Sequence, residues 1–400
     1  MKKISIIVIV AVLCLLNIRL MEKDGTACTA FLLKHGDDLF VGKNFDWMVA
    51  DAHVIVNKRG VSKTAIQTFF DRNPVTEEPL GWTSRFGSVT FNQFGREWPF
   101  GGMNEAGLIV EGLALADSES PRPDNRPSIS AFQLIQFYLD RFETVEDVIA
   151  SRATLRIRPS RAPAGHLFVT DKKGNSVVIE FMGGKQIHYS KQSLPHKVLT
   201  NSPYADSIAF LKNDRLPWRD KSKSIERFIR TSKTVKRYRP EASNSPLDDA
   251  FNMLEDVQWR VERGFGALKF VIETKWSVVY DVKRLQIHFR TRENPKRRII
   301  HMRGFDFSCA APVKVLNIHA RLSGDVTDRF VDYTHQINRN LIESSFEQTP
   351  YPVFYGFNQE FVFHLIKSGF SEYNEIPVEA VDTLSSFPET TVCEKQSSVL

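Results

Sequence analysis

Cysteine is scarce: the 400-residue chain has four. That is too few for a disulfide-dense scaffold, and no C-x-x-C pair offers structural zinc. The ten histidines show no H-E-x-x-H or comparable ligand spacing, so no metal and no cofactor is expected. Glycine (21) and proline (19) are at ordinary levels, which excludes collagen-like and low-complexity chains. Charge of one sign is not in large excess: 53 Lys+Arg against 47 Asp+Glu leave +6, which does not argue for nucleic acid. No apolar run after the first twenty residues is long enough to span a bilayer, and no internal repeat is visible. What remains is an enzyme-sized globule with 42% hydrophobic residues.

The first residues read as an export leader. Lys2 and Lys3 precede the uncharged run Ile4–Leu16, which is too short for a spanning helix of about 20 residues and suits a signal h-region. Gly25 and Ala27 are small residues placed for a cut before Cys28, so residues 1–27 are expected to be removed and the product to be periplasmic or secreted. The stretch before Cys28 is long for a signal c-region, which leaves room for an earlier cut and a short propeptide. An uncleaved anchor and a lipoprotein cut are the alternatives; the usual Leu at −3 is missing for the second.

Beyond Cys28, short β-runs dominate to about Ala116: Ala30–Leu33, Leu39–Val41, His53–Val56 and Gly107–Leu113. Helical spacing over Ser128–Phe142 predicts the first helix, and Thr144 with Asp147 caps the next. His166–Thr170 and Ser176–Phe181 read as strands around a turn. Residues 216–240 read as partly helical and very basic, and Ser245-Pro246 starts another helix. Trp276–Asp281 and Leu285–Arg290 read as a late hairpin, Asp325–Ile342 as a helix, and the end from about Ser385 as a loose tail. Blocks of strands and helices in turn favour an α+β layered fold over a regular βαβ alternation.

Cys28 carries the chemistry. A cysteine that becomes residue one has a thiol and a free amine on one α-carbon. Their ordinary pKa values, about 8.5 and 7.7–8.0, let a proton pass between them near neutrality, so the amine can act as base for its own side chain. A buried structural cysteine is the alternative reading.

The residues around it decide between these. Cys28-Thr29-Ala30-Phe31, Gly42-Lys43-Asn44-Phe45-Asp46-Trp47, Gly87-Ser88-Val89-Thr90-Phe91-Asn92-Gln93 and Gly101-Gly102-Met103-Asn104-Glu105-Ala106-Gly107-Leu108 follow one another. Val198-Leu199-Thr200-Asn201-Ser202-Pro203, Glu226-Arg227-Phe228, the Trp276 hairpin and Phe305-Asp306-Phe307-Ser308 come after them. In this order they resemble the choloylglycine hydrolase and penicillin V acylase family, N-terminal-nucleophile hydrolases of linear amides, over residues 28–308. The resemblance implies a four-layer αββα sandwich over residues 28–310, with 311–400 as an extension packed on it. It implies Cys28 as nucleophile, Asp46 as the acid bonded to the α-amine, Asn201 as a side-chain oxyanion donor and Arg227 as a late active-site arginine. Lys43 stands where the family usually has Arg; the positive charge is kept and the planar fork is lost. The second oxyanion donor is the main chain at Ala114, a position that does not tell bile-salt hydrolases from penicillin V acylases. The implied substrates are small linear amides with an apolar acyl group: penicillin V, N-acyl homoserine lactones or conjugated bile acids. The alternative from another class is a non-catalytic exported binding protein with Cys28 lipidated or buried. Homo-oligomerisation stays open.

Three other features have plainer readings. The basic run Arg219–Arg239 reads as a solvated helix face, with attraction of anionic substrates or a membrane surface as the functional alternative. His166 reads as structural, since an N-terminal nucleophile needs no histidine. Export permits a Cys309–Cys393 disulfide, but the sequence does not show that the two meet.

Overall fold

A computed structural model describes residues 28–68, 71, 78–160, 165–213, 224–263, 270–349 and 378–393. The expected leader (1–27), the basic stretch 214–223 and the end 394–400 lie outside the described residues. Twelve longer strands organise the chain. They are β1 (Thr29–His35), β2 (Asp38–Trp47), β3 (His53–Asn57), β4 (Ser88–Asn92), β5 (Pro99–Asn104) and β6 (Ile109–Leu113). They continue with β7 (His166–Thr170), β8 (Ser176–Met182), β9 (Lys185–Ser190), β10 (Phe270–Asp281), β11 (Gln286–Thr291) and β12 (Arg298–His301). The helices are α1 (Leu134–Arg141), α2 (Val145–Ala150), α3 (Tyr204–Asn213), α4 (Ser224–Arg237), α5 (Pro246–Glu255), α6 (His335–Glu347) and α7 (Val378–Ser386).

The first sheet runs β1-β2-β10-β11-β12, with Val198–Leu199 outside β1 and Gly324–Asp325 outside β12. The second runs β9-β8-β7-β6-β5-β4-β3, extended past β3 by Lys314–Asn317 and Val331–Asp332. Strands of the second sheet are apolar on both faces, because each face meets a different layer. In β7 and β8, Phe168 and Val178 join the core between the sheets. Their neighbours Leu167, Val169, Val177 and Ile179 turn the other way, onto α1 and its surroundings. Period-two alternation thus feeds two cores at once. Phe228 of α4 and Phe251 and Leu254 of α5 pack on the outer side of the first sheet. The result is an α+β four-layer sandwich, helices outside two largely antiparallel sheets.

Several sequence expectations hold in detail. Thr144 accepts a hydrogen bond from the Asp147 amide at 3.1 Å at the start of α2, and Pro246 opens α5. The late hairpin is β10–β11. Others need correction. Ser128 and Ile129 are not helical; they pair in parallel with Arg156 and Ile157, and α1 begins only at Leu134. The helix expected from Asp325 starts at His335 behind a Thr334 cap, since Val331–Asp332 is taken up as an edge strand on Lys314–Asn317. The end is not loose from Ser385: Ser385 belongs to α7, Val392 and Cys393 pair with Val61 and Ser62, and Cys393 is joined to Cys309. Among the described residues no helix is long and apolar enough to cross a membrane.

Candidate active site

Cys28 sits one residue before β1 and is 4% exposed. β1 pairs antiparallel with β2, Thr29 opposite Asn44, so Cys28 lies beside the end of β2. There its Sγ approaches the Asp46 carbonyl oxygen at 3.8 Å. β2 alternates strictly up to this point. Lys43 and Phe45 face the second sheet: Lys43 reaches Gly112 and Glu111, and Phe45 stacks on Trp276 at 4.0 Å and meets Phe100 edge-on. Asn44 faces the helices, donating to the Leu254 carbonyl at 2.7 Å and accepting from Ser277 at 2.6 Å. A register shift in β10 between Thr274 and Trp276 falls opposite Phe45 and Asp46.

Three charged groups surround the thiol. Lys43, Asp46 and Arg227 are 1%, 1% and 2% exposed. Burial pushes the Cys28 thiol up, Lys43 and Arg227 pull it down, and Asp46 pushes it up again. Burial also raises the Asp46 carboxyl to about 7 against the opposing pull of Arg227, Thr274 and Lys43. Neither Asp46 carboxylate oxygen has a hydrogen bond of good geometry among the described residues. Buried polar atoms are nearly always paired, so a carboxylate in this condition beside Cys28 needs explaining.

Asn201 and Ala114 come together on the open side of the site, both half-buried. Asn201 Nδ2 donates to the Ala114 carbonyl at 2.9 Å, and its Oδ1 accepts from Arg227 at 3.1 Å. These contacts fix the amide orientation and use one of its two N–H groups, leaving the second for another acceptor. The loop carrying Asn201 is itself held, because Glu180 accepts from the Tyr204 amide at 2.8 Å at the start of α3. His166 bonds the same Glu180 oxygen at 3.1 Å, a structural duty. All six residues singled out from the sequence (Cys28, Lys43, Asp46, Ala114, Asn201 and Arg227) therefore lie in one neighbourhood.

Sequence reasoning missed Glu111. Its carboxylate lies 3.4 Å from Lys43 Nζ and accepts a 2.5 Å hydrogen bond from Tyr280. Gly101 is directly opposite in β5, where a Cβ would come within 2.1 Å of Glu111 Oε2. A charged residue at the middle of an otherwise apolar strand was the available signal. Among the described residues no cluster of three or more His, Cys, Asp or Glu is placed to hold a metal ion.

Comparison with known proteins agrees with this architecture. Residues 28–215 match the family model for linear amide C–N hydrolases, choloylglycine hydrolase family. Penicillin V acylase of Pectobacterium atrosepticum is 29% identical over 266 residues, covering 57% of this chain and 69% of that protein. The structure of penicillin V acylase from Agrobacterium tumefaciens superposes with a TM-score of 0.61 at 24% identity, over 77% of this chain and 98% of that one. A variant of conjugated bile acid hydrolase from Clostridium perfringens gives 0.60 at 18% identity, over 74% and 98%. Residues 28–215 thus resemble the linear amide C–N hydrolases of the choloylglycine hydrolase family, and the chain as a whole is similar in fold to penicillin V acylase and conjugated bile acid hydrolase.

Proposed function

We propose that the protein is an exported amidohydrolase in which Cys28, freed as the first residue by removal of residues 1–27, is the nucleophile. One observation carries this reading: the Asp46 carboxylate is buried without a hydrogen bond of good geometry, and its charge acts on the Cys28 thiol, whose sulfur meets the Asp46 main-chain carbonyl. An α-ammonium created at Cys28 would supply a hydrogen-bonding partner for that carboxylate, beside the fields of Arg227 and Lys43.

The steps follow from the groups present. The α-amine takes the thiol proton, and Asp46 holds the resulting ammonium. Lys43 and Arg227 favour the thiolate, as their fields on Cys28 already do. The thiolate attacks the amide carbon. The oxyanion meets the free N–H of Asn201 and the main-chain N–H of Ala114, each such preorganised donor contributing roughly 2.7–4 kcal/mol. The ammonium protonates the leaving amine, a thioester remains, and water attacks it with the amine again as base. The substrates proposed are linear non-peptide amides with an apolar acyl group, penicillin V first because penicillin V acylases stand among its relatives. N-acyl homoserine lactones and conjugated bile acids are the other candidates.

Intact-mass analysis of the protein recovered from the periplasm or medium tests the reading. A chain beginning with unmodified Cys28, active on a panel of acyl amides, is expected. Active material that retains residue 27, or a lipid adduct on Cys28, refutes it.

A further inference from the structure

The two halves of the site belong to different sheets. Cys28 and Asp46 are on the first, while Ala114 follows β6 of the second. Apolar packing between sheets does not by itself fix their spacing at one point to the precision that a reacting carbonyl requires. At this point the interface is polar. Lys43 of β2 donates to the Gly112 carbonyl at 2.5 Å and faces Glu111 at 3.4 Å. Tyr280 of β10, two strands from β1, donates to the other Glu111 oxygen. Lys43 and Tyr280 therefore grip β6 from the first sheet, one at the carboxylate and one at both the carboxylate and the backbone. The Gly112 carbonyl that Lys43 holds is two residues from Ala114.

Nothing about this arrangement is accidental packing. Lys43 and Glu111 side chains are 1% and 4% exposed, and a buried ion pair is costly unless its remaining hydrogen bonds are met. Here Tyr280 and Gly112 meet them, and Gly101 gives up its side chain to make the room.

We propose that Glu111, braced by Tyr280, is a positioning residue that holds Lys43 between the sheets, so that one ammonium both faces the Cys28 sulfur and anchors the strand end leading to Ala114. The proposal rests on the reading of Cys28 as nucleophile and Ala114 as oxyanion donor. It accounts for a lysine at position 43: a compact ammonium serves the sulfur, a carboxylate and a carbonyl from one point, which a planar guanidinium does not do in the same way.

The test uses the processed protein with Glu111→Gln and Tyr280→Phe, read by kcat and KM on penicillin V or the best amide of the panel, and by the pH dependence of Cys28 alkylation with iodoacetamide. In Glu111→Gln, kcat is expected to fall about a hundredfold with KM little changed, the scale of losing one preorganised donor. The alkylation profile is expected to shift, because the groups facing the sulfur (Lys43, Asp46 and Arg227) then include an ammonium without its counter-ion. In Tyr280→Phe, which removes only a hydroxyl, the same changes are expected at about tenfold, as for one hydrogen bond to a charged group. Unchanged kcat and an unchanged alkylation profile in either folded variant overturn the proposal; if Glu111→Gln fails to fold, Tyr280→Phe decides alone. Turnover that survives Cys28→Ala refutes the nucleophile reading instead, and the alkylation profile then still reports whether Glu111 sets the surroundings of the sulfur.

Discussion

Lys63 and Lys43 are both buried ammonium groups with carboxylate partners, and their surroundings differ. Lys63 lies 2.6 Å from Glu97 and 2.9 Å from Asp140, all three essentially without exposure. Asp140 also accepts from Trp82 and Gln136, each at 2.8 Å, and Arg96 stands 3.5 Å from the second Glu97 oxygen. Both Asp140 oxygens and one Glu97 oxygen are hydrogen-bonded, and among the described residues the other Glu97 oxygen is met only by the Arg96 ion pair. Around Lys43 the Glu111 side is equally complete, but a thiol and the unmatched Asp46 carboxylate lie beside it. In the Lys63 cluster every carboxylate has an ion pair within 4 Å and the contacts fix geometry; Asp46 has none among the described residues and lies beside a thiol. The same physics of burial thus separates a structural centre from a chemical one.

Substitutions sharpen the contrast. Cys28→Ala is expected to abolish amide turnover, a loss on the order of a millionfold for a lone nucleophile, with unfolding unchanged. Asp46→Asn is expected to cost about a thousandfold or more in kcat of the processed protein, while in the chain that keeps residue 27 stability stays equal or rises, since there a buried carboxylate without a hydrogen bond of good geometry is removed. Lys63→Met should do the reverse: about 3–5 kcal/mol less stability in urea unfolding, from stranding two buried carboxylates, with Cys28 alkylation in the folded protein unaltered. If Lys63→Met instead slows alkylation and spares stability, the distinction between the clusters fails. Replacing Cys309 and Cys393 by Ser should cost about 2–4 kcal/mol and leave kcat unchanged, the bridge closing a separation of 84 residues.

A further test concerns pH. In the chain that keeps residue 27, the unfolded Asp46 carboxyl gives up its proton near 3.8 and the folded one near 7. Over that window the unfolded state binds fewer protons, so stability falls as pH rises and the whole penalty is present above about 7. Asp46→Asn should flatten this slope in unfolding curves measured from pH 4 to pH 7. Processing should flatten it as well, because the new ammonium neutralises the carboxylate.

Much of the site was legible because its residues sit in contiguous motifs that the fold then brings together: Cys28 and Asp46 through the β1–β2 hairpin, Asn201 through the strand Val198–Leu199 paired with β1. Glu111 showed only as a charge inside an apolar strand, because what makes it matter lies on Tyr280 and Lys43, both far away in sequence. The same reason explains the fold-level misses. Ser128–Ile129 has helix-compatible spacing, but pairing with Arg156–Ile157 outweighs it. The Ser/Thr/Glu-rich end reads as loose because composition cannot show a distant disulfide and a distant strand.

That distant strand has a consequence for synthesis. Ser62 pairs with Val392, so one strand is completed by another made far later in the chain. Until Val392 and Cys393 are made, Val61–Thr64 presents an open edge, with Gly81–Thr83 along its other side. A chain that stops before Val392 would leave that edge uncovered and Cys309 without its mate.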